Sequence, residues 1–446
     1  GNWTPSGIPL AGDIIQFSGG GTFTVTALPT LSVQQLLVSN GSAVTLQAGA
    51  ANALTIVGGT GTDLSVPSGT QLNVSGANVL TLALASGATG SIGGAMTFSG
   101  ALHRLDAASV SAITFGSGAT FTQGIGCTGS VFATTGTANV ILFASGSSFI
   151  QLAGANPYGL SAPNSKVNFQ SGSLFSFRQN SAPSFSNRTC ADFEVDFAAY
   201  NRTSTGADPF TCDNFTMTSG VAHLQLASIV IKGDISVGAG ATLDFNPTAA
   251  AAISLNGTSA QTVTRSGTLT FNSLANLTVN NTNGVIVQSA LTLPGTTTVS
   301  AGALLVTAAA LTNSGTTTVG GTLRIDTGGS VSVAPTYGGN STLIYNRPSG
   351  SAVGPEWSGT GGVAGAGVPQ QVIVQQGTVT MPAAARTVPG NLTFGGGAMT
   401  LTSGDLTVKG VLALGASRIT TAGNQVILPA GASLTRAGGG YIVGSL

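Results

Sequence analysis

Charge is what this sequence has least of. Of its 446 residues, 13 are Lys or Arg and 13 Asp or Glu, so 6% are charged, where a soluble domain carries about a quarter. No Lys/Arg stripe exists to neutralise phosphates, which excludes a basic nucleic-acid binder. Lysine is reduced to Lys166, Lys232 and Lys409, and histidine to His103 and His223. Long apolar runs are missing as well. None approaches the roughly 20 residues of a membrane-spanning helix, although mean hydropathy is +0.38. Three cysteines, Cys127, Cys190 and Cys212, are too few for a disulfide scaffold in a chain of this length. Helical periodicity is absent, and no Ser/Thr-x-x-Glu cap precedes an apolar run. The chain opens on Gly1 with neither Met nor a basic, apolar leader, and so reads as a processed or excised piece.

What is present is 42% hydrophobic residues and 66 glycines, with Ala, Val and Leu interleaved among Thr, Ser and Gly. That is ample core material in an all-β composition. Repeats organise it. Leu293–Val306 returns as Val388–Leu401 with Pro294 matching Pro389 and Gly302 matching Gly397, and a third copy runs from Lys232 to Leu243. Within these units Gly295 and Gly315, like Gly390 and Gly410, lie 20 residues apart, and Gly118, Gly146 and Gly172 follow at 28 and 26. Thr268–Phe271, Asn276–Val279 and Asp405–Lys409 alternate apolar and polar as half-buried strands do. Ser-Gly-Ala, Ala-Gly-Ala and Gly-Gly-Ser make the corners between them.

Short strands and small-residue corners every 20 to 28 residues predict a parallel β-helix (β-solenoid). At about 22 residues and 4.8 Å per turn the chain would make roughly 20 turns, a rod on the order of 90–100 Å long. A string of β-sandwich domains is the rival architecture, which the 95-residue offset keeps open. Residues 143–216 stand out. Ten of the 19 Phe fall between Phe143 and Phe215, and nine of the charges between residues 166 and 213, with Pro157, Pro163, Pro183 and Pro209 interrupting the strands. The expected organisation is therefore N-terminal turns over 1–142, aromatic-rich wider turns with loops over 143–216, and C-terminal repeats over 217–446. The middle section is where specific recognition is expected.

The stretch Gly257–Val285 resembles the repeats of large surface proteins exported by the type IX secretion system of Bacteroidetes. The opening Gly1-Asn-Trp-Thr, Gly7–Asp13, Gly154–Leu160 and the closing Gly440–Gly444 are similar to segments of the same proteins. The resemblance implies a secreted, surface-exposed, adhesin-like or filamentous protein. It is a style of repeat and carries no catalytic motif.

Candidate chemistry is sparse. The one acidic cluster is Asp192, Glu194 and Asp196, placed on one face of a strand with Phe193, Val195 and Phe197 on the other. It is read either as a Ca²⁺ or sugar contact or as a solvated face over buried aromatics, with Asp208 and Asp213 as neighbours whose path the sequence does not fix. HExxH, GxSxG and CxxC are absent, and Gly359–Ala364 matches a dinucleotide loop only by composition. Cys190 and Cys212 would either close a disulfide loop, contributing about 3 kcal/mol in a secreted protein, or remain buried thiols. Trp3 and Trp357 are expected to pack at ends or loops. Thr296–Thr298 and Thr316–Thr318 are expected to stack. The expectation is thus a non-enzymatic structural or adhesive protein without catalytic residues, resident metal or cofactor. Its partners would be further copies stacked end to end, flanking repeats of the same polypeptide, or surface glycans. The alternative is a carbohydrate-binding or polysaccharide-cleaving β-helix.

Overall fold

A computed structural model describes residues 7–381 and 384–446; Trp3 and the rest of the opening motif Gly1-Asn-Trp-Thr lie outside the described residues. The chain is a β-solenoid of about 20 turns, half strand and about 1% helix, built from stacked parallel sheets. Parallel stacking removes the sandwich alternative, whose sheets would be antiparallel. The chain forms two compact units, Gly1–Ala222 and His223–Leu446.

In the first unit three sheets surround the core. Each turn contributes one strand to each sheet, as Gln35–Val38, Ala43–Ala48 and Asn52–Ile56 do. Strands alternate buried and half-buried positions, and register puts like residues in columns. One inward column runs Phe23, Val44, Leu72, Met96, Phe121, Phe149, Phe175, Phe193. An outward column runs Thr24, Thr45, Asn73, Thr97, Thr122. The growth of the inward side chains has a geometric cause. The third sheet ends at Arg104–Ala107, and beyond it loops over 124–139 and 152–166 close the coil in its place. These longer turns enclose more volume, which phenylalanine fills. Phe115, Phe143 and Phe169 stack at 4.6 and 5.1 Å between centroids, and Phe149 touches Phe121, Phe132, Phe143, Phe169 and Phe175. The corner glycines Gly118, Gly146 and Gly172 carry φ near +80°, and their backbones bond in series, Gly118 N–H to Gly146 O and Gly146 N–H to Gly172 O. Their spacing in the sequence is the length of these turns.

In the second unit the first turns are still long, Ile235 pairing with Val263 and Ala251 with Ala275, and from Leu277 onward they shorten to the 20-residue beat. Thr297 pairs with Thr317, Leu392 with Leu412, and Met399 with Ile419. Thr298 and Thr318 stack outward with Thr278, while Thr297 and Thr317 point into the core. One insertion interrupts the beat. Between Thr342–Asn346 and Gln371–Gln376 the chain makes a short 3-10 turn, Pro355–Trp357, that buries Glu356 and Trp357.

Candidate functional site

The acidic row lies on the strand Asp192–Gly206, whose first residues alternate as expected. Phe193 and Val195 are buried, and Phe197 is half-buried. Each carboxylate is occupied by donors from adjacent turns. Asn214 Nδ2 donates to Asp192 Oδ1 at 2.7 Å, Ser176 and Thr218 hydroxyls to the two oxygens of Glu194 at 2.7 and 2.8 Å, and Ser219 Oγ to Asp196 Oδ1 at 3.3 Å. Arg178 sits over the row, 3.3 Å from Asp196 and 3.8 Å from Glu194. Burial raises the Asp192 carboxyl above its usual range; the Asn214 hydrogen bonds oppose this, and nearby Asp213 adds to it. Asp213 thus joins the group, whereas Asp208 is exposed and accepts from Ser186 Oγ at 3.3 Å. The row is a polar ladder tying successive turns together. Among the described residues no group of three or more His, Cys, Asp or Glu is placed to hold a metal ion.

Cys190 and Cys212 are buried thiols. Arg188 and Thr189 pair in parallel with Phe210 and Thr211, and the Cys190 N–H continues the ladder to Thr211 O at 3.0 Å. The two cysteines therefore follow one another in register on adjacent turns. Cys127 is separate. Its Sγ donates to His103 O at 3.7 Å, and burial pushes its pKa up to about 11. His103 is buried too, its Nδ1 accepting from Leu80 N–H at 3.0 Å and its Nε2 facing Ser99 O at 2.9 Å. His223 pairs with Asp244 at 3.0 Å.

The aromatic segment presents no ring platform. Phe143, Phe149, Phe169, Phe175, Phe177, Phe185, Phe193, Phe210 and Phe215, with Tyr158 and Tyr200, are buried, and so is Trp357. The loops expected to protrude are anchored inward by polar groups that periodicity does not reveal. Lys166, fully buried, donates to Asp106 Oδ1 at 2.6 Å. The Arg188 guanidinium covers the Tyr158 ring at 4.6 Å and donates to Asn164 O and Leu160 O. In the second unit Tyr345 OH and Gly354 N–H donate to Glu356 Oε1 at 2.9 and 2.7 Å, Tyr337 OH to Glu356 O at 2.7 Å, and Arg386 Nε to Trp357 O at 2.7 Å. Burial raises both tyrosine hydroxyls well above their usual range, the adjacent Glu356 adding to it. The only sequence signal for these anchors was rarity: one of three lysines, and a lone Pro-Glu-Trp among Gly, Ser and Ala.

The first and last described coils differ from those next to them. In the first unit, among the described residues, Ile14–Phe17 pairs with Gln35–Val38, Thr22–Leu28 with Ala43–Ala48, and Leu31–Val33 with Asn52–Ile56. Phe23, Val25 and Leu31 are half-exposed, though their column partners Val44, Leu46 and Leu54 are buried. Ile8, Leu10 and Ile14 are exposed beside them. In the second unit, among the described residues, Ser433–Thr435 and Tyr441–Ser445 pair with one neighbouring turn. Leu434 and Ile442 extend the columns of buried Leu412 and Ile419 yet remain half-exposed, with Tyr441, Val443 and Leu446 exposed nearby. Among the described residues these two coils carry the core-column positions that stay half-exposed while their partners on the next turn are buried. Family models, curated proteins and solved structures were all compared with the chain, and none matches it.

Proposed function

We propose that this chain is a non-enzymatic structural element of a secreted, surface-exposed protein, whose coil ends add further parallel strands. The observation that carries the proposal is made on the first and last described coils: among the described residues their strands pair with one neighbouring turn, and Phe23, Val25, Leu31, Leu434 and Ile442 are more exposed than their column partners. An unpaired edge beside exposed apolar residues is a template for another chain, and the added coil would come from a second copy or from flanking repeats of the same polypeptide. Extracellular, adhesin-like use is the setting suggested by the resemblance to type IX-exported surface repeats. A charge-poor surface of hydroxyl columns, and an acidic row whose carboxylates are already held by donors from adjacent turns, support a structural role over polysaccharide cleavage. Glycan recognition in the segment 143–215 draws less support, because its rings face the core.

Electron microscopy of the purified chain across a concentration series tests the reading. Filaments that lengthen with concentration, with strands perpendicular to the fibre axis, are expected. Particles that stay single at every concentration, with no change when the flanking sequence is supplied, would refute it.

A further inference from the structure

We infer that Cys190 and Cys212 form a redox pair that staples adjacent turns, and that its state is fixed as the chain folds. Three observations place the two thiols together. The pairing Arg188–Phe210 and Thr189–Thr211 runs directly into them, and the Cys190 N–H to Thr211 O bond continues it through the first cysteine. Both side chains point inward and both are buried. Neighbouring strands lie about 4.7–4.9 Å apart, inside the window of about 4.4–6.8 Å that Cα atoms of a disulfide span. In a disulfide the Cβ atoms lie about 3.5–4.5 Å apart, closer than the strand spacing, so closing the bond draws the two side chains together. Burial raises the cost of ionising Cys190, and the neighbouring Cys212 adds to it.

The chemistry is a two-electron exchange. A thiolate of one cysteine attacks the disulfide of an oxidant such as glutathione disulfide, releasing one glutathione. The second thiolate then attacks the mixed disulfide, forming the Cys190–Cys212 bond and releasing the other glutathione; the protons pass to solvent and the two leaving thiolates. Both steps need an accessible thiolate. In the folded chain the sulfurs are enclosed by the aromatic core and by the Arg188–Tyr158 contact. Exchange therefore belongs to folding, and the folded coil insulates whichever state it encloses. The staple would close the turn that carries Asp192, Glu194 and Asp196. It is independent of assembly at the coil ends.

The test is to fold the full chain in a glutathione redox buffer and, separately, in excess dithiothreitol, then unfold each in guanidinium with N-ethylmaleimide and no added reductant. The oxidised preparation should take one adduct, on Cys127, and weigh about 2 Da less before labelling, with a peptide joining Cys190 to Cys212; the reduced one should take three adducts, one per cysteine. Natively folded, each should keep its state for hours when challenged with the opposite buffer. Three adducts from both preparations, or a cross-link that includes Cys127, would overturn the pairing. Rapid native interconversion would overturn the insulation. Cys127→Ala should leave the oxidised preparation with no adduct, and any adduct on Cys190 or Cys212 in that variant also counts against the pair.

Discussion

Removing either half of the Lys166–Asp106 pair should have unequal effects. The bond is 2.6 Å long, but the lysine side chain is 0% exposed and the aspartate side chain 29%. Lys166→Met preserves most of the volume and leaves a carboxylate that water reaches, so the expected loss is that of a partly exposed pair, about 1 kcal/mol or less. Asp106→Ala leaves an enclosed ammonium without a counter-charge, and breaking a buried pair from that side costs about 3–5 kcal/mol. Relaxation and water entry around the enclosed ammonium would relieve part of this, which brings the expected gap between the variants to about 2 kcal/mol. A stacked coil of this length does not unfold in one step, so the readout has to be local. Amide exchange of Ile141–Phe143 and Val167–Phe169, the strands beside Lys166, should quicken about 30-fold more in Asp106→Ala than in Lys166→Met. The double variant should recover most of that difference, since no unpaired charge remains. Equal effects of the two single changes, or a double variant no better than Asp106→Ala, would refute the assignment of Lys166 as the buried, dependent partner.

Phe149→Ala should cost about 3–5 kcal/mol through the cavity it leaves among five rings, measured by exchange of its own strand Ser148–Gln151. Because Leu80 N–H donates to its Nδ1 and burial lowers its pKa, His103 is neutral in the fold. The unfolded chain takes up a proton below about pH 6.5 and the folded chain resists it, so stability is full above that pH and falls below it; imidazole proton chemical shifts that titrate normally in the folded chain would contradict this. Gly377 has φ +69°, and a Cβ there would lie 1.8 Å from Arg347 O. Gly377→Ala should therefore destabilise the turns around the insertion far more than Gly118→Ala, where the added methyl meets nothing within 4 Å; thermal unfolding of the two variants compares them.

Strand positions were readable because alternation is a local property. Thr268–Phe271 and Asn276–Val279 are legible from their apolar–polar alternation, and both lie in strands. Turn length was readable where glycine marks the corner, as at Gly118, Gly146 and Gly172. The long-offset copies meant something narrower than they suggested. Lys232–Leu243, Leu293–Val306 and Val388–Leu401 each enclose a three-residue strand, Ile235–Val237, Thr297–Val299 and Leu392–Phe394. The first and third of these belong to one sheet and the second to another. What repeats is a strand and its corner, not a position around the coil, because cross-section depends on how much chain lies between corners. The aromatic segment invited a reading as a recognition surface, since rings and charges cluster there in sequence. Whether a ring faces solvent or core depends on the enclosed volume of the turn, which is a tertiary quantity. The buried anchors Lys166, Arg188 and Glu356 were invisible for the same reason: their partners lie on other turns, up to 60 residues away.

The central claim is that the first and last described coils accept further strands, and amide exchange of the full chain at low and high concentration addresses it most directly. New protection confined to Ile14–Phe17, Thr22–Leu28, Ser433–Thr435 and Tyr441–Ser445 at high concentration is the predicted result. Unchanged exchange at those strands, or protection that appears instead along outward columns such as Thr24, Thr45 and Thr97, would contradict it.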